Sequence, residues 1–291
     1  MAGSVVVGVD TSATGREALR FALSEARLRG AVLRVVHAWS VPPLTTTGVA
    51  MFPAYELVEE ELQQAAADAI DADLERVGNS AEGVELDRRT VHGDAAGALV
   101  ELSGDADLLV VGSRGRGALA GAVLGSVSRA CLQHASCPVA VVHVAHHGER
   151  TRIVVGVDGS EGAAAALEWA FAEARVRGST VHAVAAYHEP WGLSGGLVTS
   201  PGAVLELRNA LVEEAEQRLE DARRSAPEDV SLTVESVFGP AGQALVSAAA
   251  DADVLVVGSR GRGGFASLVL GSVSQYCAAH AGGVVVVVRP A

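Results

Sequence analysis

The chain contains itself twice. Val6-Val7-Gly8-Val9-Asp10-Thr11-Ser12 returns as Val154-Val155-Gly156-Val157-Asp158-Gly159-Ser160, 148 residues on, and Asp105–Gly117 returns almost unchanged as Asp251–Gly263, 146 residues on. A repeat of this length is a whole domain, far longer than one turn of a solenoid. The expected division is therefore a first domain over 1–147 and a second over 151–291, parted in the polar stretch His146-His147-Gly148-Glu149-Arg150.

Each copy alternates strand-like and helix-like hydrophobic patterns. In the first, β-branched Ser4–Asp10 predicts a buried strand, and Gly15–Arg29 predicts an amphipathic helix closed by Gly30. Strand Val32–Ala38, a loop at Pro42–Pro53, helix Glu56–Val77, strand Val84–Val91, helix Ala95–Leu102, strand Leu108–Val111, helix Ser126–His134 and strand Val139–Val144 follow. The second copy predicts strands at Ile153–Asp158, Val181–Ala186, Leu232–Val237, Val254–Val257 and Val284–Val288, with helices between them. Strands joined by helical crossovers make an α/β fold, here two tandem doubly wound five-stranded parallel sheets of the Rossmann-like kind. Ligands on such sheets bind beyond the strands' carboxyl ends, where Asp10, Ala38 and Gly112 should face one crevice.

Composition narrows the chemistry. The 22 basic residues are all arginine, against 35 acidic ones, for a net charge of −13. Without lysine there is no GxxxxGK[ST] phosphate loop and no Schiff base, and an acidic chain lacks the basic field that nucleic acids and anionic membranes require. The apolar runs are strand-length, and no signal-like segment precedes Ser4–Val9, so a cytoplasmic location is the expectation. Cys131, Cys137 and Cys277 form no CxxC pair and read as small buried thiols. His143, His146 and His147 lack convergent partners for a metal, and no metal site is expected. The acidic helices Glu56–Val77 and Val204–Arg224 read as solvated faces, and Trp39, Trp169 and Trp191 as packing or pocket-rim residues.

The densest signal follows the fourth strand. Val111 leads into Gly112-Ser113-Arg114-Gly115-Arg116-Gly117, and Gly125-Ser126-Val127-Ser128 then opens a helix. Glycines let backbone N–H groups approach an anion, the helix start adds free N–H donors, and serine and arginine side chains supply further contacts. The second copy repeats this as Val257, Gly258-Ser259-Arg260-Gly261-Arg262-Gly263 and Gly271-Ser272-Val273-Ser274. The alternative is a plain turn before a serine-capped helix, and the recurrence favours a phosphate cradle. The spacing and its place after the fourth strand are not those of the GxGxxG dinucleotide motif, which disfavours NAD and FAD.

Gly-x2-Gly-x9-Gly-Ser after Val-Val-Gly, the Val-Gly-Val-Asp-x-Ser opening and the strand ending Val36-His37-Ala38-Trp39 together resemble the ATP-binding branch of the universal stress protein family in tandem form. The resemblance implies ATP, with or without Mg²⁺, held by the two glycine segments named above. It also implies that Asp10 and Asp158 lie near adenine and ribose, that Ala38 and Ala186 read adenine through the backbone, and that Gly8 and Gly156 complete the set. Pairing of the two repeats, or of two chains, through Val139–Val144 and Val284–Val288 is implied as well. The copies depart from the family pattern at Gly93-Asp94, where the second has Gly239-Pro240, and at Gly283-Val284, where the first has Cys137-Pro138. With no lysine and no carboxylate inside the glycine loops, the expected role is a nucleotide-dependent stress or dormancy-type regulator with one ATP site per repeat and little or no hydrolysis. A slow adenine-nucleotide hydrolase and a pairing module with inactive pockets are the competing readings.

Overall fold

The computed structural model describes residues 3–40, 52–115, 124–144, 151–188, 201–262 and 270–290. The chain divides into two units, Met1–Ala145 and His146–Ala291. In the first, β1 (Ser4–Gly8), α1 (Ala13–Arg29), β2 (Val32–Trp39), α2 (Phe52–Val77), β3 (Leu86–His92), α3 (Ala95–Leu102), β4 (Leu108–Gly112), α4 (Ser126–His134) and β5 (Val139–Val142) follow in order. In the second, β6 (Arg152–Gly156), α5 (Glu161–Arg177), β7 (Thr180–Tyr187), α6 (Pro201–Ser225), β8 (Leu232–Phe238), α7 (Ala241–Ala248), β9 (Val254–Gly258), α8 (Ser272–His280) and β10 (Val284–Val288) repeat the pattern.

Within the first unit the strand order is β3-β2-β1-β4-β5, and within the second β8-β7-β6-β9-β10. The ladders inside each unit are parallel. Helices α1 and α2 pack beside each other, as do α3 and α4, so each face of the first sheet has its own helix pair. This explains the unbroken apolar runs: Val5, Val6 and Val7 are buried because both faces of β1 are covered. The outer strand β3 is half exposed along its charged LDRRT stretch, which suits an edge.

Local signals set the helix ends. Ser12 and Ser160 cap α1 and α5, accepting from the N–H groups of Gly15 (3.0 Å) and Ala163 (3.1 Å). Gly30 and Gly178 close these helices in the left-handed region at φ 61° and 65°. Asp94 caps α3, whereas Pro240 holds the same place before α7 without a side-chain cap. Several bounds differ from the sequence expectation, among them the start of β3 at Leu86 rather than Val84. Strands β1 and β6 end two residues before Asp10 and Asp158, whose carboxylates fold back in a turn instead of extending the ladder. Strand β5 stops at Val142 rather than Val144, and α2 begins at Phe52 rather than Glu56, taking in the end of the Pro42–Pro53 loop. The rest of that loop, the His146–Arg150 stretch and Trp191 lie outside the described residues.

The repeats exchange volume between matched positions. Ala96 and Ala130 of the first correspond to Gly242 and Tyr276 of the second, where a Cβ on residue 242 would stand 2.6 Å from the tyrosine ring. Gly242→Ala is therefore expected to destabilise the protein by about 1–3 kcal/mol through overpacking. Adding Tyr276→Ala should relieve that overpacking, so the double variant's midpoint of guanidinium unfolding should exceed what the sum of the two single changes predicts.

Candidate functional site

A cavity of about 480 Å³ opens at the carboxyl ends of β1 and β4, where the strand order reverses. Its floor includes Gly8, Val9 and Asp10 after β1, Val36 and Ala38 on β2, and Val111 and Gly112 ending β4. Arg114, Gly115, Gly125, Ser126, Val127 and Ser128 form the loop side, and Gly15, Ala95, Leu99 and Leu124 complete the lining.

Two carboxylates organise this edge, one per unit. Asp10 Oδ1 accepts from the N–H (3.1 Å) and hydroxyl (2.5 Å) of Ser12, and Asp158 Oδ1 accepts from Ser160 in the same way (3.0 and 2.6 Å). The turn thus primes the serine that caps the following helix. The other oxygen faces the glycine loop. A Cβ on Gly115 would lie 2.7 Å from Asp10 Oδ2, and one on Gly261 2.4 Å from Asp158 Oδ2. Asp158 Oδ2 also accepts from the Arg262 N–H at 3.2 Å. Of the roles open to these aspartates, loop capping is the one the geometry shows.

The first glycine of each loop meets a different neighbour. A Cβ on Gly112 would stand 2.9 Å from the Thr14 carbonyl carbon, and one on Gly258 would stand 2.4 Å from that of Gly162. These positions let the first turn of α1 or α5 press against β4 or β9. Thr14 donates its hydroxyl to the Arg114 carbonyl, while Ser160 Oγ lies 3.4 Å from the Arg260 carbonyl.

Helices α4 and α8 begin at Gly125 and Gly271, with no side-chain cap on their first N–H groups. Ser126 and Ser272 stand at the first helical position and are exposed, so neither is the cap that the turn reading required. Ser128 and Ser274 differ from them. Both are buried, and their hydroxyls donate to the carbonyls of Gly112 and Gly258 at 2.6 Å, tying the helix to the strand end. The single proton of each hydroxyl is thereby engaged inside the protein, although Ser128 still lines the cavity. Ser113 and Ser259 are also buried, and Ser113 is not among the residues lining the cavity. Val273 follows Ser272 as Val127 follows Ser126, while Gly156, Ala186 and Val257 sit at the strand ends of the second unit, corresponding to Gly8, Ala38 and Val111. Arg116, Gly117 and Gly263 lie outside the described residues.

Sequence reasoning missed Val9, Gly15, Val36, Ala95, Leu99 and Leu124. Val36 was accessible from the two-residue period that puts it on the face of Ala38, and Ala95 and Leu99 from their i, i+4 spacing on α3. Among the described residues no cluster of three or more His, Cys, Asp or Glu side chains could hold a metal ion. No helix among them is long and apolar enough to cross a membrane.

The family profile of universal stress proteins matches residues 1–143 and 149–289. Universal stress protein Rv2623 of Mycobacterium tuberculosis is 32% identical over 290 residues, covering 98% of this chain and 96% of its own. Universal stress protein Rv2005c of the same organism is 35% identical over 300 residues, with the same coverages. A crystal structure of a universal stress protein from Archaeoglobus fulgidus, 20% identical, superposes with a TM-score of 0.62 over 100% of this chain and 97% of that one. This is a tandem α/β protein with a strand-end cavity in its first unit, and it belongs to the universal stress protein family.

Burial pushes the Cys131 and Cys277 thiols up to about 12 and Cys137 up to about 11, so none is a thiolate near neutrality. A thiol-specific reagent at pH 8 should leave the native protein unlabelled and modify all three cysteines once guanidinium unfolds it. The two glycine roles should also separate by denaturation. Gly112→Ala places its Cβ against fixed backbone and should lower the unfolding midpoint far more than Gly115→Ala, which displaces only a carboxylate.

Proposed function

We propose that the protein is a nucleotide-dependent regulator that binds ATP at the carboxyl end of each sheet and turns it over slowly or not at all. The observation that carries this reading is the uncapped N-terminus of α4 opening beside the Gly112–Gly115 loop, and its repetition at α8. Free helix N–H groups and the helix dipole favour an anion there. The cavity volume lies within the ordinary range for small-ligand sites, roughly 300–1,000 Å³.

The residues suit the parts of ATP. Gly115 lines the cavity with bare backbone, and the exposed Ser126 hydroxyl and Arg114 supply donors at the loop. Ala38, Val36 and Leu99 make the apolar wall on which a base would rest. Slow turnover is supported by the absence of lysine from the whole sequence and by the engagement of one Asp10 oxygen with Ser12. Magnesium, if it arrives, comes with the phosphates, which supply most of its ligands.

Calorimetric titration with ATP, together with chromatography of nucleotide released from the purified protein, tests the reading. Binding near two per chain is expected, weakened at least tenfold by Gly115→Ala/Gly261→Ala with the fold retained by circular dichroism. Absence of binding at millimolar ATP refutes it, and phosphate release well above that of the double variant refutes the slow-turnover part.

A further inference from the structure

The two candidate sites are not equivalent, and the difference lies in the long helix that flanks each. The buried residues Ile70, Leu74 and Val77 of α2 correspond in spacing to Ala215, Leu219 and Ala222 of α6. On that register Ala69 of the first unit becomes Glu214 in the second, and Asp73 becomes Arg218. Asp73 is wholly buried and accepts from the Thr11 N–H at 3.1 Å. Arg218 instead reaches back to Glu214 at 2.8 Å, and Glu214 in turn is hydrogen-bonded by the Arg262 guanidinium.

Arg262 belongs to the glycine loop of the second unit and is held twice, by Glu214 through its side chain and by Asp158 through its N–H. We propose that Glu214 is an internal competitor at the second site: braced by Arg218, its carboxylate holds the loop arginine that a nucleotide phosphate would otherwise take. This rests on the ATP-binding reading above. A phosphate entering there must displace one carboxylate from Arg262 and meets the repulsion of the same charge, whereas α2 carries Ala69 at the matching position. Two arginines keep the Glu214 carboxyl well below the usual carboxylate range, so it stays charged at any physiological pH. The side chains of Glu214 and Arg262 are 42% and 52% exposed, so the effect is modest and screened by salt.

The test uses Glu214→Gln in the full chain, read in two ways. In ligand-free protein, amide hydrogen exchange over 259–262 should quicken relative to wild type while exchange over 113–115 stays unchanged. In a Gly115→Ala background, which isolates the second site, Glu214→Gln should tighten ATP binding roughly two- to fivefold at low salt, with the gain shrinking at about 0.5 M salt. Unchanged exchange overturns the restraint, and faster exchange with equal or weaker ATP binding overturns the competition. If wild-type protein binds no nucleotide at all, the reading under the preceding heading fails, and the exchange measurement alone then decides whether Glu214 restrains the loop.

Discussion

The carboxyl edge of each sheet depends on how closely the helix after the first strand approaches the end of the fourth. Gly112 and Gly258 permit that approach, since any Cβ there would enter the backbone of Thr14 or Gly162. Once the helix start is pressed against the strand, the aspartate–serine turn preceding it comes within reach of the glycine loop. The Ser128 and Ser274 hydroxyls secure the opposite side by tying the next helix to the same strand end. A frame thus surrounds a few backbone N–H groups that no side chain among the described residues caps, an arrangement that favours anions.

The fold was legible because the first and fourth strands recur in each copy, and because buried parallel strands leave long β-branched runs such as Val5–Val7 and Val284–Val288. The glycine loop was legible for the same reason. Less so were the side-chain choices that tertiary packing makes. Ser126 and Ser128 look alike in sequence, yet one is exposed at the helix start and the other is buried against a carbonyl, a difference set by the direction in which α4 leaves the loop. Nor did anything local announce Glu25 and Glu173, fully or almost fully buried in α1 and α5 and each paired with an arginine one turn on. A charged residue on an amphipathic helix reads as solvent-facing until its neighbours are known.

Duplication also shows which parts of the design are free to vary. The aspartate, the capping serine and the helix-tying serine are the same in both copies. The residues behind them are not: Thr14 gives way to Gly162, Asp73 to Arg218, Arg16 to Ala164 and Arg76 to Asp221. These exchanges are concerted, since Asp73 lies 3.7 and 3.6 Å from Arg16 and Arg76, and all three change sign or lose their charge together in the second copy.

One of those exchanges bears on how force travels through the molecule. Thr11 occupies the left-handed region at φ 62°, a costly conformation for a β-branched residue, and the buried Asp73 of α2 holds its N–H there. Gly159 adopts the same turn at φ 78° without such a cost. A displacement of α2 would therefore be felt at the residue beside Asp10, through that hydrogen bond and through Arg16, which lies 3.7 Å from Asp73 and donates to the Thr11 carbonyl. In the second unit α6 reaches the strand end by another route, through Glu214, which holds the Arg262 side chain while Asp158 holds its N–H. Of two copies of one domain, the first has its long helix wired to the aspartate turn and the second has it wired to the glycine loop.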